Sequence, residues 1–138
     1  MSKILTYLDT SVLLAAWRGE QAIADAAMKY LDDPEREFVV TDFLKLELLP
    51  KALFHKQVEE AEFFQEFLNA ATTIVHISPE MLNDVVNLAS QHGLAAIDAI
   101  HAFAAIQTSA EFVTKEKKTK PFSNITRDTL KVISINPT

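Results

Sequence analysis

The sequence predicts an α/β fold in which a mostly parallel sheet carries helices on both faces. Two observations lead there. Short apolar runs alternate with longer stretches whose apolar residues repeat every 3.6 positions, and their order is βααβααβααβ…β. The chain is 138 residues long, enough to bury one sizeable core, and is expected to form a single domain over residues 1–138.

Ile4 to Leu8 is short and apolar, is closed by the polar Asp9-Thr10-Ser11, and reads as the first strand. Ser11 is placed to cap a helix over Val12 to Trp17. After Gly19 a second helical pattern runs through Ile23, Ala26, Ala27, Tyr30 and Leu31, and Asp32-Asp33-Pro34 stops it. Phe38-Val39-Val40 is rich in strand formers. Thr41 or Asp42 can cap the helix that follows, which carries Leu44, Glu47 and Leu48 and ends near Pro50 or a turn later. Ala61, Phe63, Phe64, Phe67, Leu68 and Ala71 keep helical spacing over Val58 to Ala71, and Thr72 to Ile77 turns to strand character. Ser78 before Pro79 is a helix start signal for Pro79 to Gln91. His92-Gly93 ends that helix, and the alanine-rich Leu94 to Gln107 is the most helix-prone stretch of the chain. Glu111 to Thr114 and Val132 to Ile135 read as the last two strands.

Composition excludes several classes of function. There are no cysteines, which removes thiolate metal sites, cysteine nucleophiles and disulfides and agrees with a reducing cytoplasm. The only glycines are Gly19 and Gly93, so no glycine-rich loop exists to cradle a nucleotide. No signal peptide is expected before Met1-Ser2-Lys3, and no apolar run approaches the roughly 18 residues of a membrane span, so a soluble cytoplasmic protein is expected, with no membrane partner. A formal net charge of −6 argues against sequence-blind nucleic-acid binding through overall charge, although local lysines can still grip phosphates.

Four acids stand at element edges or among apolar neighbours: Asp9, Glu47, Asp98 and Glu116. Ligands of parallel α/β folds collect beyond the carboxyl ends of the strands, where Asp9 and Glu116 fall, and Glu47 and Asp98 occupy early helical turns that can lean over the same rim. Converging carboxylates are most simply explained by a metal ion. Each also has an ordinary reading: Asp9 as a helix cap, Glu47 as a solvated helix residue, Glu116 as part of the charge run Lys115, Lys117, Lys118 and Lys120. Asp98 has the weakest ordinary reading, since Ala95, Ile97, Ala99, Ile100, Ala102, Phe103 and Ala104 surround it and predict a buried helix. His101 shares the face of Asp98 and reads first as a packed or hydrogen-bonded core residue. Thr114 is either a strand end or a hydroxyl that braces a carboxylate. His55, His76 and His92 lack ligand spacing; Trp17 and the Phe63-Phe64-Phe67 cluster read as core or subunit contact.

The series Tyr7-Leu8-Asp9-Thr10-Ser11-Val12-Leu13-Leu14, Leu44-Lys45-Leu46-Glu47-Leu48, Leu94-Ala95-Ala96-Ile97-Asp98-Ala99-Ile100-His101-Ala102 and Phe112-Val113-Thr114-Lys115-Glu116 resembles a PIN domain over nearly the whole chain. The resemblance implies a three-layer α/β/α sandwich, metal-dependent ribonuclease activity, and kinship with the toxin halves of VapBC toxin–antitoxin modules. It implies Asp9, Glu47, Asp98 and Glu116 as acidic metal ligands, with Ser11 and Thr114 supporting them, an RNA substrate, an antitoxin protein as partner and a homodimer. Oxygen donors without cysteine favour Mg²⁺ or Mn²⁺ over zinc, with binding that weakens as pH falls. The family's fourth acid is usually aspartate, whereas Thr114-Lys115-Glu116 supplies glutamate; Asp128 in Thr126-Arg127-Asp128 repeats the spacing and is its rival. Two further readings stay open: a PIN-like RNA- or protein-binding module that has lost turnover through Glu116, and a phosphotransfer protein with Asp9 as phosphoryl acceptor. Against the latter, Ser11 stands where a dehalogenase-type phosphatase needs a second aspartate.

Overall fold

The computed structural model describes residues 2–117, 125 and 129–136. In chain order the described elements are β1 (Ile4–Leu8), α1 (Thr10–Arg18), α2 (Gln21–Leu31), β2 (Arg36–Thr41), α3 (Asp42–Phe54), α4 (Val58–Ala70), β3 (Thr73–Val75), α5 (Pro79–His92), α6 (Ala96–Thr108), β4 (Glu111–Thr114) and β5 (Val132–Ser134). The expected alternation is present throughout, with boundaries moved by a residue or two.

The strands form one sheet in the order β3-β2-β1-β4-β5, and every neighbouring pair is parallel. Parallel strands need crossovers, and the helices supply them on both faces. Side chains alternate across the strands accordingly. Leu8, Val40 and Val113 join the core under α1 to α4, while Tyr7, Val39 and Phe112 join the core under α5 and α6. A one-residue slip in any central strand would exchange the two sets.

Local signals account for several of the helix ends. Thr41 caps α3 by accepting the Leu44 N–H at 3.2 Å, and Ser78 caps α5 by accepting that of Met81 at 3.2 Å. Gly93 closes α5 with φ of 67°, a left-handed conformation that costs a residue with a Cβ. Pro50 lies inside α3, which continues for another turn to Phe54. β1 lies at the centre of the sheet, between β2 and β4, so Asp9 just beyond it sits over the middle of the carboxyl edge.

Candidate active site

Asp9 is the N-cap of α1 and is 6% exposed. Its backbone N–H extends the β1–β4 pairing by donating to the Val113 carbonyl at 3.1 Å. Oδ1 accepts from the Val12 N–H at 3.3 Å and from the Ser11 hydroxyl, and Oδ2 accepts from Thr114 Oγ1 at 2.7 Å. Burial pushes this carboxyl above the ordinary aspartate value, against the pull of those donors and of nearby His101. The cap expected from Ser11 therefore falls to Asp9, because α1 starts two residues earlier than Val12. Ser11 is left to bridge, donating to Asp9 and accepting the Lys115 N–H at 3.0 Å. With both oxygens engaged and the group buried, Asp9 is poorly disposed to act as a phosphoryl acceptor.

Thr114 ends β4 and is 1% exposed. Its hydroxyl donates to Asp9 and accepts the Glu116 N–H at 3.0 Å, while Ser134 Oγ on β5 donates to the Glu116 carbonyl at 2.6 Å. The turn that carries Glu116 is thus tied to the strands on both sides of β4. Asp9, Ser11, Asp98, Thr114, Lys115 and Glu116 together line an open pocket of about 300 Å³.

Asp98 reaches that pocket from the first turn of α6. It is half-buried rather than enclosed: α6 begins at Ala96, two residues later than the predicted Leu94, so Asp98 lies at the open end of the helix and not amid its apolar flanks. It makes no hydrogen bond among the described residues. Burial raises its pKa, nearby His101 opposes that, and the Glu47 carboxylate adds to it.

Glu47 stands beside the pocket without lining it. Its Oε1 accepts from Thr10 Oγ1 at 2.6 Å and lies 2.5 Å from His101 Nε2. Burial pushes the Glu47 carboxyl up, but the donors His101 and Thr10 outweigh it and hold the group below the usual glutamate value. His101 is 1% exposed and is the hydrogen-bonded core residue its position suggests; its Nδ1 lies 2.5 Å from Tyr7 Oη, which lies 3.0 Å from Thr41 Oγ1. Burial raises the Tyr7 phenol well above its ordinary value. Helical spacing places His101 with Asp98, but the links from Tyr7, Thr10 and Thr41 join positions far apart in sequence. The one local signal is a tyrosine in a buried strand, whose hydroxyl needs a partner.

Among the described residues no three histidine, aspartate or glutamate side chains, as placed, are arranged to hold one ion together. Asp9 is turned to its hydroxyl donors and Glu47 to His101. His76 pairs with Asp42 at 2.8 Å on the surface, away from these groups in the hydrogen-bond network. The rival acid Asp128 and the lysines 118 and 120 lie outside the described residues.

The fold is shared with solved structures of low sequence identity. A chain of a toxin–antitoxin complex from Klebsiella pneumoniae superposes with a TM-score of 0.70 at 20% identity, covering 96% of this chain and 99% of that one. VapBC2 from Rickettsia felis, bound to a DNA fragment from their promoter, gives 0.68 at 18% identity over 95% and 98%. FitAcB from Neisseria gonorrhoeae gives 0.67 at 18% identity over 96% and 98%. No curated protein matches in sequence. The family model of the PIN domain matches residues 6–127, nearly the whole span from the first strand through the turn that carries Glu116, and the chain belongs to the PIN domain family.

Proposed function

We propose that this protein is a metal-dependent endoribonuclease acting as the toxin of a toxin–antitoxin pair, with RNA as substrate, an antitoxin protein as partner and a homodimer as its assembly. The observation that carries the reading is the convergence of Asp9, Asp98 and Glu116, with Ser11 and Thr114, on one open pocket beyond β1 and β4. PIN domains are in general nucleases, and among the structural neighbours one is named as a toxin–antitoxin complex and another as VapBC2.

The donor set suits a hard divalent cation. All the facing ligands are oxygen, Asp98 has no donor among the described residues, and its charge is set against that of Glu47. Asp9, Asp98 and Glu116, with Glu47 beside them, are the residues to hold Mg²⁺ or Mn²⁺. When bound, such an ion supplies charge neutralisation at the phosphate and lowers the pKa of a water. Ser11 and Thr114 hold both oxygens of Asp9 in place, so its orientation is set before anything binds. Lys115, on the pocket wall, and Lys117 are the cations available to flanking phosphates.

The test is cleavage of a panel of structured and single-stranded RNAs by wild type and Asp98→Asn, in Mg²⁺, in Mn²⁺ and with chelator. Cleavage that requires both metal and Asp98 is expected. Metal binding without cleavage would instead make the protein a silent PIN module, with Glu116 as the cause to examine. Equal cleavage by Asp98→Asn would overturn the assignment of the site.

A further inference from the structure

With a neutral His101 ring, the hydrogen bonds that end on Glu47 run in one direction. A backbone N–H can only donate, and that of Leu44 donates to Thr41 Oγ1 at 3.2 Å. An ionised carboxylate can only accept, and Glu47 Oε1 lies 2.5 Å from His101 Nε2. Between these fixed ends stand Thr41 Oγ1 to Tyr7 Oη at 3.0 Å and Tyr7 Oη to His101 Nδ1 at 2.5 Å. Thr41, Tyr7 and His101 are each at most 1% exposed, so bulk water does not reach them.

Each hydroxyl has one hydrogen, and a neutral imidazole has one N–H. One arrangement gives every hydrogen an acceptor: Thr41 donates to Tyr7, Tyr7 donates to Nδ1, and Nε2–H donates to Glu47. The opposite tautomer turns the Tyr7 hydrogen to Thr41, leaves the Thr41 hydrogen without an acceptor among these contacts, and sets a bare Nε2 lone pair against a carboxylate oxygen. The chain begins at the N-cap of α3 and returns to the same helix at Glu47, passing through β1 and α6.

We propose that His101 is a positioning residue for Glu47: Thr41 and Tyr7 fix it as the Nε2–H tautomer, and it holds Oε1 so that Oε2 remains for a divalent cation at the neighbouring pocket. This rests on reading that pocket as a metal site. Outer donors of this kind orient a ligating carboxylate, and losing one typically weakens metal affinity about 10–100-fold.

The experiment combines Mn²⁺ titration, followed by the spin-resonance signal of the free ion, with long-range nitrogen–proton NMR of the histidine rings in metal-free protein. Wild type, Tyr7→Phe, His101→Leu and His101→Gln are compared. Wild-type His101 is expected to show the neutral Nε2–H pattern, and Tyr7→Phe to disturb it. His101→Leu is expected to weaken Mn²⁺ about tenfold. His101→Gln, whose amide nitrogen can donate to Glu47 while its oxygen accepts from Tyr7, should recover most of that loss, which a packing role alone does not explain. Mn²⁺ affinity of His101→Leu equal to wild type, or a wild-type ring protonated on Nδ1, overturns the proposal. If wild type binds no Mn²⁺ although its ring shows the expected tautomer, the metal reading itself has failed and the positioning role goes with it. Should His101→Leu not fold, the comparison of Tyr7→Phe with His101→Gln decides in its place.

Discussion

Asp9 and Asp98 face the same pocket but are stabilised very differently. Asp9 is buried and takes three hydrogen bonds, whereas Asp98 is half-exposed with none among the described residues. Neutralising them should therefore have unlike effects on folding. Asp98→Asn removes a charge set against Glu47, and its thermal midpoint is expected to equal or exceed that of wild type; a fall of several degrees in a melting curve would show a structural role instead. Thr114→Val withdraws a donor from buried Asp9 and an acceptor from the Glu116 N–H, and should cost about 1–3 kcal/mol in urea unfolding. Asp9, Glu47 and Asp98 stand out in the sequence because carboxylates are out of keeping in apolar runs, whereas Glu116 stands out only by its place just after a strand. Three of them line the pocket. That Glu47 is turned aside to His101 was not legible, since nothing local in α3 registers a tyrosine on β1 or a histidine on α6.

At the scale of elements, nearly every strand and helix was legible, because strands buried on both faces are apolar and the helices between them keep a 3.6-residue period. The start of α1 falls earlier than the sequence suggests, since two capping residue types, Asp9 and Ser11, stand two positions apart and Asp9 takes the cap. Gly19 joins α1 to α2, and a Cβ there would lie 2.5 Å from the Ala15 carbonyl oxygen and 2.7 Å from Ile23. Gly19→Ala should destabilise by about 1–3 kcal/mol, read from denaturant midpoints. At the end of the sheet opposite the pocket, Glu111 binds Arg36 at 2.9 Å and Lys131 at 3.0 Å, joining β4 to β2 and to the approach to β5. Partial burial pushes the Glu111 carboxyl up, but the two cations outweigh it and hold the folded value below 4.5. A lowered folded value means stability that is present above 4.5 and lost as pH falls through the folded pKa. Glu111→Gln should therefore lower stability by about 0.5 kcal/mol at neutral pH, with the gap to wild type closing below that value.

For the whole molecule, the sheet separates two cores that share its strands, and unfolding one face exposes the other. A single cooperative transition is expected. A divalent ion that binds only the folded chain should raise the melting temperature, by the equivalent of about 2.7 kcal/mol at 100 times its Kd. Calorimetry with and without Mn²⁺ measures this, and an unchanged midpoint at saturating ion would count against the metal site. Net charge of −6 makes any RNA affinity depend on local cations, so replacing Lys115 and Lys117 should make the salt dependence shallower.

The bond between Thr114 and Asp9 spans 105 positions of the chain, and the central strand at the start of the sequence has β4 as one of its two neighbours. Synthesis proceeds at about 5–20 residues per second, so Asp9 waits several seconds for the strand that completes its surroundings. Until then there is no pocket wall opposite Asp9, and no Glu116 to face it. A truncated product that stops before β4 would carry three of the four acids but lack the wall that Thr114, Lys115 and Glu116 supply. Timing is thereby written into the strand order, with the pocket assembled only as the last part of the sheet is laid down.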